Sequence, residues 1–372
     1  MSESSENFLH LVQPAVHQVR PYQPGKPIDE LKRQYKVSYV SKMASNENPL
    51  GSSLKVATAL FNFSNQMARY PDSAGHNLRE RLASFLQVEM GQITLGNGSN
   101  ELLELIARVF AGPGDEIIYS QYGFAVYPIS AQLVGATAVE VPAVDYGHDL
   151  PAMLAAITPR TKLIYIANPN NPTGTLFRKA QWESFLAQVP ENVIVVLDEA
   201  YLEYAEHACP DGSYPNGVDY FRDYPNLLVS RTFSKAYGLA SLRVGYLLGC
   251  EEILGYINRL RQPFSVNAYA QVAAITALSD PQFVAKSLRT NQQGMVQLKA
   301  AVEAKGFKVI PSFANFLTIE FGEQALEIYD KLLREGVIVR PLANYGLANF
   351  LRVSIGNNHE NSHFIGALSK VL

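Results

Sequence analysis

Two cysteines in 372 residues, Cys209 and Cys250, are too few and too far apart for a disulfide framework or a zinc ribbon. No stretch of about 18 consecutive apolar residues occurs, so no membrane-spanning helix is expected. Charge is sparse and balanced: 31 Lys and Arg against 34 Asp and Glu leave −3, and no basic excess points to nucleic acid. Internal repeats and low-complexity segments are missing as well. The opening MSESSENFLH lacks a basic stretch followed by an apolar one, so no secretory signal is read there. A reducing cytoplasm is the expected location.

What the chain does have is 47% hydrophobic residues over a length that suits two domains. Short apolar runs at 117–120, 138–141, 163–167, 193–197, 227–230 and 244–248 are rich in Val, Ile, Leu and Tyr and mostly do not alternate. That is the pattern of strands buried on both faces of a mainly parallel sheet. Helical stripes lie between them, with Leu102, Leu105, Ile106 and Val109 on one face and Trp182, Phe185 and Leu186 on another. Past Pro263 the pattern changes to long helices, then the strands of FKVIPSFANFLTIEF, GVIVRPL and FLRVSIG, then a final helix. The expected architecture is α/β: an arm over 1–50, a large domain over 51–280 with a mainly parallel sheet, and a smaller α+β domain over 281–372.

Ligands in open α/β sheets sit at the carboxyl ends of the strands. Here the strand exits read GNGSNE, QYGF, NPNNPTG, DEAY and RTFSK. All are polar, glycine-bearing or aromatic, which a purely structural sheet does not require. Gly98, Ser99 and Asn100 run into a helix whose N-terminal N–H groups suit an anion, although a plain N-capped turn reads equally well from this loop alone. A dinucleotide fold fits less well, because Glu101 stands where the third glycine of G-x-G-x-x-G belongs. Thr232, Ser234 and Arg243 add two hydroxyls and a guanidinium. Between them is Lys235, set between a buried strand and a glycine turn, where partial desolvation lowers an amine's pKa and makes it a nucleophile for aldehydes. A phosphate cradle beside such a lysine points to pyridoxal 5′-phosphate. That cofactor needs a carboxylate at its pyridine nitrogen, which Asp198 supplies; donors at its 3-oxygen, for which Tyr201 and Asn168 are placed; and a flat partner, Tyr122.

With these motifs in order, ANPNNPTG (167–174), LDEAY (197–201) and TFSKAYGLASLRVGY (232–246), the chain resembles the fold type I, class I/II aminotransferases. Within them it is most similar to the histidinol-phosphate aminotransferases, on ASNENPLG (44–51), RYPD (69–72), GNGSNE and the SIG after Arg352. The resemblance implies that Lys235 is the Schiff-base lysine and proton shuttle, with Asp198 on the pyridinium. It gives the phosphate to Gly98 to Asn100, Thr232, Ser234 and Arg243, and a homodimer in which Tyr70 reaches the neighbouring subunit's site. It places Tyr22, Asn48, Arg340 and Arg352 at the substrate. Two departures stand out: Ser-Asn in GNGSNE where many relatives carry an acidic pair, and QYGF for a Pro-Thr/Ser-Tyr motif. The expected reaction is ping-pong transamination between histidinol phosphate and 2-oxoglutarate. An aromatic aminotransferase or a threonine-phosphate decarboxylase of the same build is the alternative, and a non-catalytic amine-binding regulator a distant third.

His359-Glu360-Asn361-Ser362-His363 matches H-E-x-x-H, a zinc-protease signature. Only nine residues follow it, so no downstream third ligand is available, and the segment reads better as the first turn of the last helix. No metal is expected.

Overall fold

The computed structural model describes residues 10–19, 21 and 25–372. A seven-stranded sheet forms the larger body, in the spatial order Ile93–Gly96, Gly245–Leu248, Leu227–Thr232, Ile194–Asp198, Thr161–Ala167, Glu116–Ser120, Thr137–Val141. Every strand is parallel except Gly245–Leu248, which runs antiparallel to both neighbours. The central strands are buried on both faces, as their unbroken apolar runs require. Thr137–Val141 departs from this expectation: it is an edge strand, and most of its side chains are not buried. Two apolar layers, one on each face, sandwich the sheet between helices.

The C-terminal body holds a four-stranded antiparallel sheet ordered Arg340–Leu342, Leu347–Ser354, Phe316–Glu320, Lys308–Ile310. It packs with the long helix Pro281–Glu303 and the last helix Asn358–Val371 around a core of its own. The arm joins this body. Ser41–Lys42 pairs in parallel with Val337–Ile338, and Met43 enters the same core. The helical stretch after Pro263 includes two helices, Ala268–Ala277 and Pro281–Glu303, separated where Pro281, which cannot donate to the preceding turn, starts the second. Among the described residues no helix is long and apolar enough to cross a membrane.

Candidate active site

The strand exits converge on a cavity of about 250 Å³, closed on one side by Arg340 and Arg352 from the C-terminal sheet and by residues 44–47 of the arm. At one end lies the helix Ser99–Phe110. Gly98 caps it with φ +80°, and Leu102, Leu103 and Ile106 bury its inner stripe so that its N-terminus is held at the cavity wall. Ser99, Asn100, Thr232, Ser234 and Arg243 all line this end. The Thr232 hydroxyl donates to Ser234 Oγ at 3.0 Å, and Arg243 Nη1 donates to the same Oγ at 3.3 Å. A side chain at position 98 would run into the Arg243 guanidinium. Gly98→Ala should therefore displace Arg243 and weaken retention of a phosphorylated cofactor by about ten- to a hundredfold, measured by equilibrium dialysis, on the worth of a charge-assisted hydrogen bond.

Lys235 lines the same cavity. Phe233 and Ala236, fully buried on either side, pin the backbone, and Gly238 (φ +69°) lets the following turn pack directly on Gly51. Lys235 Nζ donates to the Ser45 carbonyl at 3.2 Å. Burial, followed by the nearby Arg352 and Arg243 guanidinium groups, brings its pKa down to about 8, against the opposing pull of Glu47 and Asp198. A useful share of neutral amine is thus present near neutrality.

Asp198 also lines the cavity, buried at the end of the central strand. Its Oδ2 accepts a hydrogen bond from the Tyr127 hydroxyl at 2.9 Å. Its Oδ1 is buried, and no donor among the described residues meets it. Burial raises its pKa to about 6, partly offset by the Tyr127 hydroxyl and the Ala200 N–H. A buried carboxylate oxygen left unpaired beside a cavity is costly unless something else completes it, and a protonated ring nitrogen would. Beneath Asp198, Glu199 and Arg231 form a buried ion pair at 2.7 Å. Tyr214, the Gly217 N–H and Asn216 satisfy the remaining polar atoms, so the two strand ends are held in register. Tyr201 also lines the cavity. Its hydroxyl accepts from Asn46 at 2.9 Å, and burial pushes its pKa to about 12.

Several expected residues stand elsewhere. The Asn168 amide is spent on the Phe177 backbone, accepting from its N–H at 3.0 Å and donating to its carbonyl at 3.3 Å, which closes the 168–177 loop. Asn171 of the same motif lines the cavity instead, and its Oδ1 accepts from Arg352 at 2.5 Å. Tyr122 turns away with φ +61° and packs near Tyr146, and Phe124 is the aromatic that reaches the cavity. Asn48 does not line the cavity. It donates to the Ala236 carbonyl and to Ser287, both at 2.9 Å, and so braces the turn after Lys235. Tyr70 is 84% exposed, stacked on Phe264 and outside this chain's cavity. Tyr22 lies outside the described residues. Arg340 and Arg352 are both buried at the cavity wall, directly opposite one another across two antiparallel strands. Arg352 also donates to the Ala44 carbonyl at 2.8 Å.

The two histidines of the H-E-x-x-H match have structural work. His359 Nδ1 bonds the Tyr39 hydroxyl at 2.9 Å, while His363 bridges Ser41 at 2.8 Å and the Glu335 carbonyl at 3.0 Å. Among the described residues no cluster of three or more His, Cys, Asp or Glu could hold a metal ion.

Phe124, Asn171, Asn46 and Glu47 line the cavity and Tyr127 bonds Asp198, although nothing in the sequence pattern singles them out. Asn171 was within reach, one of three asparagines in a single motif, but spacing does not say which of the three turns inward.

A doubly wound sheet with an amine, a carboxylate and an anion cradle at its strand exits defines an aminotransferase of the fold type I class. The chain belongs to the class I and II aminotransferase family, whose model matches residues 39–368. It is 56% identical, over 99% of this chain and 98% of the relative, to histidinol-phosphate aminotransferase 2 of Hydrogenovibrio crunogenus. To the protein of the same name in Pseudomonas aeruginosa it is 52% identical, over 98% and 99%. Among solved structures it superposes with a TM-score of 0.88 and 28% identity, over 97% of both chains, on histidinol-phosphate aminotransferase from Sinorhizobium meliloti in complex with pyridoxal-5′-phosphate.

Proposed function

We propose that this chain is a pyridoxal-phosphate-dependent transaminase that exchanges an amino group between histidinol phosphate and 2-oxoglutarate, in histidine biosynthesis. One observation carries the reading: a single cavity is lined by a lysine of lowered pKa, by an anion cradle of Ser99, Asn100, Thr232, Ser234 and Arg243, and by two buried arginines, Arg340 and Arg352. The first cradle suits a cofactor phosphate, and the arginine pair suits a substrate's own anionic group. The full-length likeness to enzymes named for histidinol phosphate supplies the substrate.

When bound, pyridoxal phosphate supplies an electron sink for the carbanion left at the substrate's Cα. The chain's residues do the rest. Lys235 would take the aldehyde and, once released by the incoming amine, move the proton at Cα. Ser99, Asn100, Thr232, Ser234 and Arg243 would hold the phosphate. Phe124 would cover one ring face, Asp198 would complete the ring nitrogen, and Tyr201 with Asn171 would lie on the 3-oxygen side.

Assay of the purified enzyme with histidinol phosphate, phenylalanine and threonine phosphate tests the substrate. Preference for histidinol phosphate is expected, and a wide preference for phenylalanine would overturn the reading. Arg340→Gln should raise KM for histidinol phosphate about ten- to a hundredfold, by loss of one charged contact, as read from initial rates.

A homodimer in the cytoplasm belongs to the same proposal. Leu54, Phe61, Met67 and Tyr70, all exposed, fall between residues 54 and 70, and exposed apolar groups of this size suit a subunit interface. Sedimentation near twice the 41.1 kDa chain mass is expected; a fully active monomer would refute this part alone.

A further inference from the structure

We propose that Tyr127 is the positioning residue for the cofactor's ring nitrogen: by donating to Asp198 Oδ2, it turns Oδ1 into the cavity and keeps the shared proton on the nitrogen. This rests on the assignment of Asp198 to that nitrogen in the proposed function.

The geometry is specific. Tyr127 is fully buried, with no solvent to hold its hydroxyl, and that hydroxyl is committed to Asp198 at 2.9 Å. Its ring is stacked on Tyr165 at 4.9 Å between centroids with 1° between planes, and Tyr165 is itself tied to the Leu103 carbonyl at 2.7 Å. The donor is therefore fixed by packing. With Oδ2 engaged, the carboxylate cannot spin, and Oδ1 is the oxygen left unpaired. Tyr127 belongs to the same short segment as Phe124, which reaches the cavity three residues earlier, and their rings meet edge to face at 5.9 Å. One segment thus sets both the ring's flat neighbour and the orientation of its acid.

A hydrogen bond donated to a carboxylate makes it a weaker base. The other groups facing Asp198 are the Ala200 N–H and Lys235, which also favour the anion, and Glu199, which opposes it; the Tyr201 hydroxyl lies nearby. Without the Tyr127 hydroxyl, Asp198 competes harder for the proton it shares with the ring nitrogen, and the neutral acid paired with a neutral pyridine gains ground.

The test uses cofactor labelled with ¹⁵N in its ring. In Tyr127→Phe, which keeps the stacking, the ring ¹⁵N resonance should move toward the neutral-pyridine position, and the cofactor dissociation constant should rise about tenfold, the size of one lost hydrogen bond to a charged group. Site-specific replacement of Tyr127 by 3-fluorotyrosine, a stronger donor of nearly the same shape, should move the resonance the opposite way. An unchanged resonance in both variants, with affinity within about twofold of the parent, would overturn the proposal, and the fluorinated variant decides it alone if the phenylalanine variant does not fold. Asp198→Asn separates the two levels: if it leaves the ¹⁵N resonance unmoved, the assignment of Asp198 fails, and this inference with it.

Discussion

Lys235→Ala should lower turnover by at least about 10⁴-fold and abolish the visible absorbance that bound pyridoxal phosphate acquires on Lys235. Two functions are lost together. In the proposed function the amine takes the cofactor aldehyde and also shuttles the proton at Cα, a role typically worth about 10²–10⁴ by itself. The surroundings are built for that amine: Ser45 offers a carbonyl to Nζ, and burial, followed by Arg352 and Arg243, brings its pKa down to about 8. Only the neutral amine attacks an aldehyde. The rate of cofactor capture by the apo-protein should therefore climb about tenfold per pH unit up to about 8 and level off above it. Small primary amines added to the alanine variant should restore part of the proton transfer, more so for more basic amines, following Brønsted behaviour. Full activity in Lys235→Ala would sink the whole assignment of the site.

Much of this was legible in the residue order. Strands buried on both faces announce themselves as unbroken apolar runs, and the exits of those strands mark where a ligand sits, so Lys235, Asp198, Tyr201, Thr232, Ser234 and Arg243 are found at one cavity as the motifs imply. What sequence spacing does not encode is side-chain direction inside a loop. Asn168 and Asn171 are three residues apart in one turn, and the choice between them is made by Phe177, whose backbone claims the first. Tyr122 and Phe124 flank a turn, and the positive φ at Tyr122 sends its ring out of the cavity. Tyr127 reads as one apolar helix position among many; its hydroxyl acquires meaning only when folding brings it to Asp198, 71 residues away in the chain. Asn48 matches a motif that implies a substrate ligand, while its hydrogen bonds to the Ala236 carbonyl and Ser287 make it a brace for the turn after Lys235.

Asp198→Asn should cut turnover by about 10³-fold or more while changing the apo-protein's stability in a pH-dependent way that identifies the group. The catalytic part follows from electrostatics. The amide keeps an acceptor for Tyr127 but carries no charge, so nothing holds a proton on the cofactor's ring nitrogen, and the electron sink loses its strength in a buried site where charge counts most. The stability part has a definite sign. Asp198 has a pKa of about 6 in the fold against an ordinary value of 3.8, so folding favours its neutral form. Well below pH 3.8 the carboxyl is neutral in both states and costs nothing. As pH rises, the unfolded chain releases this proton first and the folded apo-protein loses stability, until well above the folded pKa of about 6 the cost is constant at about 3 kcal/mol. Asparagine has no such proton. Whatever constant offset the amide introduces, the stability of apo Asp198→Asn relative to apo wild type should grow by about 1 kcal/mol between pH 5 and 7, as read from urea midpoints at a series of pH values. With cofactor present the order should reverse, because the wild-type carboxylate then has its partner and stabilises the complex by linkage. A pH-independent difference between the two apo-proteins would mean that Asp198 is not the buried, unpaired acid on which this site depends.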